Sequence, residues 1–412
     1  MLLYKTMGGG LMQLVAYGAQ DIYLTGNPQI TFFKVVYRRH TNFSMEHIQQ
    51  TFKGTPAAAA HVVATISRNG DLVHDCYLKF ECKEITGVNF NPGHNLIDNI
   101  ELEIGGQMID RQYGHWMETN AQLTEDNYGL CEPAAAITTM ELAQNNSQMS
   151  SFQNTAGAGG VVITEETNDC KLFVPLRFWF NRHVGLSLPI IALQYHEVNI
   201  NITFSSIYLT SSSSNHVWVD NTELWVNYIY LDTDERRRFA QVSHEYLIEQ
   251  VQTQEFSIST ATDNNFKLNF NHPVKELNWV FIGTGYEWGK AVAGSGSFGT
   301  QVMWNNNSKV QLKLNGHDRF AEQPAEYFTR YQPMKYHKNT GRGSLTDSIA
   351  VYSFALKPEE HQPSGTCNFS RIDSSQLELK QTNGTAGSVF VYAVNYNVLR
   401  IMSGMGGLAY SN

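Results

Sequence analysis

The sequence predicts an all-β protein built from two copies of one β-sandwich unit. Two observations predict this class: landmark residues recur in the same order in both halves of the chain, and short alternating polar and apolar stretches are separated by turn residues. At 412 residues the chain is too long for one ordinary core and suits two domains of about 200 residues each. Duplicated β units are more typical of structural proteins than of enzymes.

The repeat is visible at two landmarks. Leu-Glu-Ile-Gly-Gly begins at Leu102 and is followed by Asp110-Arg111, and Leu-Lys-Leu-Asn-Gly begins at Leu312 and is followed by Asp318-Arg319. The second landmark places a proline nine residues after a Phe and six residues before another aromatic residue, in the triplets Phe180, Pro189, Tyr195 and Phe354, Pro363, Phe369. The matching order and spacing indicate that the second half repeats the folding unit of the first.

Most segments have strand patterns. Alternation of apolar and polar residues predicts strands with one buried face in four places, at residues 100–104, 198–204, 310–314 and 377–379. Other stretches are apolar on both faces, which predicts strands covered on both sides, at residues 30–37, 224–231 and 389–394. Turn residues such as Gly105-Gly106 and Asn315-Gly316 separate the strands, as is typical of β-sandwiches.

A single clear helix is predicted between the two repeats. Asp232 or Thr233 can cap it, acidic residues fill its first turn, and three arginines follow before Gln241. This order of charges suits the helix dipole. The three arginines are flanked by acids, so a solvated helix face is favoured over a nucleic-acid or lipid contact. Residues 112–170, 205–216 and 283–308 include runs of Gly, Ser, Ala or Asn that are typical of loops, and we expect residues 114–170 and 283–308 to form outer loops.

The composition excludes several classes. Charged residues make up 16% of the chain, below the roughly 25% of an average soluble protein, which indicates a surface partly covered by neighbours. The net charge of −9 argues against nucleic-acid binding. The five cysteines are scattered without a close pair, so we expect neither a zinc site nor a disulfide framework. Glycines interrupt the mildly apolar start, so no secretion signal is expected.

No catalytic set is apparent, and we expect no enzyme activity, no cofactor and no metal. His196-Glu197 and His244-Glu245 resemble fragments of a metalloprotease helix, but the second histidine is replaced by Ile200 and Ile248. A cupin-like metal enzyme on tandem barrels is a further alternative, and it is disfavoured because the histidines are dispersed. The glycine-rich stretches lack the residues of a nucleotide-binding loop.

The motif Asn-x-Ser/Thr marks possible glycosylation sites. It occurs at residues 42, 145, 201, 306, 368 and 383. Asn306 and Asn383 lie in loop-like sequence, so these two are the accessible candidates. Residues 201 and 368 lie in or near predicted strands.

Several segments resemble one family. They include Leu14-Val-Ala-Tyr-Gly-Ala-Gln-Asp21, Tyr23-Leu-Thr-Gly-Asn-Pro, Ile66-Ser-Arg-Asn-Gly-Asp-Leu72, Pro189-Ile-Ile-Ala-Leu-Gln-Tyr-His-Glu-Val198 and the ranges 244–250, 362–373 and 395–410. Together they closely resemble the major capsid proteins of nucleocytoplasmic large DNA viruses, in particular those of algal, chlorovirus-like viruses. The resemblance runs nearly from end to end.

The resemblance implies a fold and an organisation. It implies two tandem eight-stranded jelly-roll β-sandwiches, a double jelly roll, joined by the short helix. The expected division is an N-terminal arm over residues 1–26, a first jelly roll over 27–232, a helical linker over 233–244 and a second jelly roll over 245–412. The apolar, aperiodic segment Leu11–Thr25 is expected to leave its own barrel and pack against the base of a larger assembly.

The resemblance also implies a function. It implies homotrimers that form pseudo-hexagonal capsomers and tile an icosahedral virion shell assembled in the host cytoplasm. The implied partners are neighbouring capsomers, minor capsid and penton proteins and an internal membrane, with no direct nucleic-acid contact, and the protein is expected to be glycosylated. The alternative is a glycan-binding, lectin-like attachment protein, in which Tyr286 and Trp288 would stack on sugar rings.

Overall fold

The computed structural model describes most of the chain, and the descriptions below concern these residues alone. They are residues 9–85, 89–90, 92–125, 156, 161–162, 170–209, 217–258, 263–283, 308–338, 349–380 and 386–410. The chain forms two compact units, Met1–Asn42 and Phe43–Asn412.

The first unit contains two short helices, α1 (Gly9–Val15) and α2 (Ile22–Thr25). The strand predicted over residues 30–37 is absent, since these residues have turn and irregular backbone. Their apolar side chains are exposed, by 73% at Ile30 and 97% at Phe33. A strand needs a hydrogen-bonding neighbour and a covering surface. This prediction was therefore wrong for the single chain, and the first strand begins at Phe43.

The second unit begins with twelve strands. They are β1 (Phe43–Gln50), β2 (Phe52–Lys53), β3 (His61–Thr65), β4 (Leu72–Ile85), β5 (Asn89–Phe90), β6 (Ile97–Ile104), β7 (Gln107–Tyr113), β8 (Val161–Val162), β9 (Cys170–Pro175), β10 (Val198–Phe204), β11 (Tyr208–Leu209) and β12 (Val217–Leu231). One sheet has the order β1-β12-β4-β9, with β11 beside β12, and the other has the order β2-β3-β10-β6-β7. Strands β5 and β8 form a separate pair.

Helices in this half lie in the connections and after the last strand. They are α3 (Pro92–Asn95), α4 (Gly114–Thr124), α5 (Trp179–Arg182) and α6 (Thr233–Gln241), with a 3-10 turn at Val184–Leu186. The predicted interdomain helix is confirmed as α6, and the Asp232 carboxylate accepts a hydrogen bond from the Thr233 backbone N–H at 2.8 Å.

The remaining strands repeat the arrangement. They are β13 (His244–Ile258), β14 (Asp263–Leu268), β15 (Pro273–Gly283), β16 (Lys309–Leu314), β17 (His317–Asp318), β18 (Gln323–Pro324), β19 (Ile349–Ser353), β20 (Cys367–Asn368), β21 (Ser375–Lys380), β22 (Gly387–Met402) and β23 (Met405–Leu408). The sheets have the orders β13-β22-β15-β19 and β14-β21-β16-β17. A π-helical turn (Tyr327–Tyr331) leads into α7 (Gln332–Tyr336), and a 3-10 turn follows at Phe369–Arg371.

The two halves have the same topology. In chain order, β1, β3, β4, β6, β7, β9, β10 and β12 occupy the sheet positions that β13, β14, β15, β16, β17, β19, β21 and β22 occupy in the second half. Eight principal strands in two antiparallel sheets with this order form a jelly roll. The predicted fold class, two tandem eight-stranded jelly rolls, is therefore confirmed.

The repeated landmarks lie in equivalent connections. Gly105-Gly106 joins β6 to β7 with φ values of +59° and +82°, and Asn315-Gly316 joins β16 to β17 with φ values of +50° and +78°. The proline landmarks lie between β9 and β10 and between β19 and β21. There Leu188 pairs with Val73, whereas Cys367 pairs with Val274. Pro189 and Pro363 therefore share a connection but differ in position along it.

One predicted outer loop is partly a buried helix. Residues 114–124 form α4, and Trp116, Met117, Ala121 and Leu123 are buried. Polar residues between these apolar ones hide the pattern of a core helix in the sequence, so the loop prediction was wrong there. Within 125–170 and 283–308 the structure describes few residues, and the loop prediction for the rest falls outside the described chain.

Candidate functional site: the junction between the jelly rolls and the exposed faces

The surface residues that the sequence predicts to bind or carry sugar lie outside the described part of the chain. This holds for the glycosylation candidates Asn306 and Asn383 and for the aromatic residues Tyr286 and Trp288. Both sets stay predictions.

The two His-Glu pairs have structural partners. The Nδ1 atom of His196 accepts a hydrogen bond from the Gly406 backbone N–H at 3.1 Å, which ties the first jelly roll to β23. The Nε2 atom of His244 lies 2.8 Å from the Phe239 carbonyl oxygen at the end of α6. Among the described residues, no group of three or more His, Cys, Asp or Glu side chains is arranged to hold a metal ion. Within the same ranges, no helix is long and apolar enough to span a bilayer.

A charged network joins the two jelly rolls. The carboxylate of Glu249 on β13 forms ion pairs with Arg182 of the first jelly roll and with Lys275 on β15, at N–O distances of 2.5 and 2.8 Å. The Lys275 ammonium also donates to the Pro358 carbonyl oxygen at 2.7 Å. Because Lys275 and Glu249 are buried, each charge needs a partner to offset its lost hydration. The network therefore specifies how the two sandwiches meet.

A buried histidine extends this network. The Nε2 atom of His337 lies 3.2 Å from Glu276 Oε2, and its Nδ1 atom lies 3.0 Å from Glu359 Oε1. Burial alone would lower the pKa of His337, but the two carboxylates outweigh it and raise this pKa to about 9. Burial alone would raise the pKa of Glu276, but His337 and Lys275 hold it below its ordinary value. The pair is therefore ionised at neutral pH.

A second junction contact links β7 to β13. The Asp110 carboxylate accepts a hydrogen bond from the Val251 backbone N–H at 3.1 Å, and the Gln250 amide donates to the Ile109 carbonyl oxygen. Burial raises the pKa of Asp110 to about 6, although hydrogen bonds from Gln112 and Val251 oppose the rise. The Val251 N–H and the Ile109 carbonyl lie on edge strands. These two hydrogen bonds satisfy backbone groups that would otherwise be unpaired.

A cavity of about 530 Å³ adjoins the charged network. Its walls include Arg182, Glu249 and Lys275, together with the stacked rings of His183 and His361, whose centroids are 4.9 Å apart. The cavity therefore lies beside the charged contacts that join the two jelly rolls.

Helix α4 completes the junction by covering the outer face of the sheet β13-β22-β15-β19. Trp116 lies against Tyr392, with ring centroids 5.0 Å apart, and Tyr392 is only 1% exposed. The remaining covered residues are Val251, Val280, Ile349, Val351 and Val394. This sheet is therefore buried on both of its faces, as the two-sided apolar pattern of residues 389–394 predicts.

The corresponding face of the first jelly roll is less completely buried in the part of the chain that the structure describes, since Tyr77 and Trp225 are half-buried and His47 and Phe173 are exposed. Across the sheet β1-β12-β4-β9, Tyr77 lies 5.9 Å from His47, 6.5 Å from Trp225 and 6.0 Å from Phe173, measured between ring centroids. Phe173 is 37% exposed. We call these four residues the aromatic face. Partly exposed aromatic residues grouped in this way are typical of protein–protein contact surfaces.

The junction was not predictable from motifs. Its charged residues are dispersed from Arg182 to Glu359 and share no spacing. The signal that could have found them is the combination of a buried-strand pattern with interrupting charges, as in Val274-Lys-Glu-Leu277.

Comparisons with known proteins agree with this architecture. The family described as "Major capsid protein N-terminus" matches residues 31–232, and the family "Large eukaryotic DNA virus major capsid protein" matches residues 235–407. The chain is 48% identical to the major capsid protein of Pyramimonas orientalis virus, over 98% of this chain and all of that protein. It is 41% identical to the major capsid protein of Paramecium bursaria Chlorella virus 1, with the same coverage.

Solved structures agree as well. The chain matches a chain of the PBCV-1 virus capsid with a TM-score of 0.77 and 36% identity, over 93% of this chain and all of that one. It matches the Faustovirus major capsid protein with a TM-score of 0.67 at 13% identity, which supports the fold alone. Since a relative 48% identical is matched along nearly its whole length, the chain belongs to the major capsid proteins of large eukaryotic DNA viruses, which are structural proteins of the virion capsid and not enzymes.

Proposed function

We propose that this chain forms homotrimeric, pseudo-hexagonal capsomers that tile an icosahedral capsid. The observation that carries the proposal is the shared topology of the two jelly rolls within one chain. Three copies around a threefold axis place six similar sandwiches in a ring, which gives a block with six comparable sides. Hexagonal blocks pack side by side without gaps.

Two surface features support self-association. The aromatic face carries large side chains that are partly exposed in the single chain, by 37% at Phe173. The first unit exposes apolar residues along much of its length, including Phe32, Phe33 and Val36. Exposed apolar groups of this size gain free energy when a neighbouring subunit covers them.

The wider setting follows from the family. We propose that capsomers contact each other, minor capsid and penton proteins and a membrane beneath the shell, and that assembly takes place in the host cytoplasm. The net charge of −9 supports the absence of direct nucleic-acid contact. The division into an arm over residues 1–26, jelly rolls over 27–232 and 245–412 and a linker over 233–244 stays a prediction.

Glycosylation at Asn306 and Asn383 belongs to the same proposal. Peptide mass spectrometry of protein from virions tests it, since each occupied site adds a sugar mass to one peptide. Unmodified peptides at both positions would contradict it.

Light scattering on the purified protein tests the trimer. We expect a mass about three times the 46.5 kDa of one chain. A lectin-like protein predicts instead a protein that stays in solution and binds sugar saturably. A monomeric mass across the accessible concentration range would contradict the proposal.

A further inference from the structure

Within the described residues, one outward sheet face is buried and the equivalent face of the other jelly roll is partly exposed. The buried face lies on β13-β22-β15-β19, and the partly exposed one is the aromatic face on β1-β12-β4-β9. On the first sheet Tyr77 is paired with Trp225, and on the second Asn278 is paired with Tyr392. Both pairs point away from the core of their own jelly roll, so Trp225 lies on the face that corresponds to that of Tyr392, the residue that Trp116 covers.

The covering element is the helix that follows β7. Helix α4 has two buried faces: Met117 belongs to the core of its own jelly roll, whereas Trp116 and Leu123 pack on the second jelly roll. Asn120 lies between them on the same face, since residues at positions i, i+4 and i+7 of a helix align.

The second jelly roll has a helical segment at the same place in its fold. Residues Tyr327–Tyr336 follow β17 and β18 as α4 follows β7. Phe328 belongs to the core of the second jelly roll, as Met117 belongs to the first. Counting from these two core residues, Trp116, Asn120 and Leu123 correspond to Tyr327, Tyr331 and Met334.

The outward face of this segment is exposed in the single chain. Tyr331 is 45% exposed and Met334 is 64% exposed. The rings of Tyr327 and Tyr331 stack with centroids 5.4 Å apart, so the segment presents an ordered apolar surface. Among the described residues, α4 covers the sheet of the second jelly roll, whereas the equivalent helical segment keeps an exposed outward face and the sheet of the first jelly roll keeps a partly exposed one.

We propose that the segment Tyr327–Tyr336 of one copy packs on the aromatic face of a second copy and repeats between chains the contact that α4 makes within one chain. The contact is heterologous, because different surfaces meet, and three such contacts close a ring. Aromatic rings and a methionine thioether pack favourably on aromatic side chains. This inference rests on the proposed homotrimer and names the surfaces that hold it together.

The first test replaces the apolar tip of the segment. The double variant Tyr331→Asp, Met334→Asp places two charges where the next copy would bind, and neither side chain contributes to its own core. We expect the trimer to dissociate at a concentration at least about tenfold higher than for the unmodified protein, as removal of central contact residues usually causes. Leu356→Asp, at an exposed leucine outside both surfaces, is the matched control and should leave the trimer intact.

A crosslinking experiment locates the contact independently of stability. Met334→Cys and Phe173→Cys are prepared as separate proteins, mixed under conditions that exchange subunits, and treated with a short bis-maleimide reagent. We expect a covalent dimer between the two variants, at a yield well above that of Leu356→Cys with Phe173→Cys.

The outcomes separate the two proposals. If the unmodified protein is trimeric and both the charged variant and the crosslinking pair behave as the controls do, the contact is overturned and the trimer stands. A monomeric unmodified protein would overturn the trimer and the contact together.

Discussion

At the scale of single residues, His337 is the clearest source of pH-dependent stability. It lies buried between Glu276 and Glu359, and its pKa is raised from 6.5 to about 9. Because the folded state holds this proton more tightly than the unfolded chain does, the stabilisation is complete below pH 6.5 and is lost as the pH rises through 9. A shift of this size corresponds to a free energy on the order of 3 kcal/mol.

We therefore expect His337→Gln to flatten the pH profile of stability. Between pH 6.5 and 9.5, the free energy of unfolding in urea should fall less for the variant than for the unmodified protein. His361→Gln is the control, because burial and His183 lower the pKa of His361 and so confine its effect to pH values below 6.5. Equal slopes for all three proteins would show that His337 does not hold the extra proton.

The residue scale is also where the sequence predicted least. Arg182, Glu249 and Lys275 are far apart in the sequence and form a network only where the two jelly rolls pack together. No local sequence pattern indicates which residues will lie at that junction. The absence of a metalloprotease motif at the two His-Glu pairs can be seen in the sequence itself, because that motif depends on local spacing alone.

At the scale of elements, the β6–β7 hairpin offers a matched pair of substitutions. Gly105 and Gly106 both have positive φ, which a side chain disfavours by about 1 kcal/mol. A Cβ atom at Gly106 would meet open space, whereas one at Gly105 would lie 2.4 Å from His196 Nδ1.

We expect Gly106→Ala to lower the melting temperature slightly and Gly105→Ala to lower it clearly more. The larger loss arises because the His196 ring would have to move, which breaks its hydrogen bond with the Gly406 backbone N–H on β23. Differential scanning calorimetry of both variants measures the difference. The explanation fails if the two losses are the same.

Elements with a strong period were predictable, and those that depend on distant partners were not. The alternation in residues 198–204 correctly predicts β10, since each second residue is buried. Residues 30–37 have the composition of a covered strand, but their apolar side chains are exposed in the described structure. Helix α4 escaped prediction because its buried residues include Glu118, Thr119 and Asn120, which are typical of a surface loop.

At the scale of the whole molecule, the duplication was predictable because the same turn and strand landmarks occur in the same order in both halves of the sequence. The packing of one jelly roll on the other was not, since it depends on α4 and on the charged network. The remaining question at this scale is which parts of the chain act only in the assembly.

We expect the N-terminal arm, residues 1–26, to be one such part. Residues 11–25 expose Leu11, Leu14 and Tyr23 in the single chain. Burying five or six such side chains yields on the order of 10 kcal/mol, and ordering fifteen residues costs a comparable amount, so a partner surface has to tip the balance. Deleting residues 1–25 should leave the circular dichroism spectrum and melting of the jelly rolls unchanged and weaken assembly into larger particles. Shells of undiminished stability from the truncated protein would refute this role.

The most direct measurement for the account as a whole is electron microscopy of the purified, full-length protein. Class averages viewed along the symmetry axis should show threefold particles with a six-sided outline, in which six similar densities alternate between first and second jelly rolls. Particles of one or two chains, or rings without threefold symmetry, would contradict the central claim that the duplicated fold builds a pseudo-hexagonal capsomer.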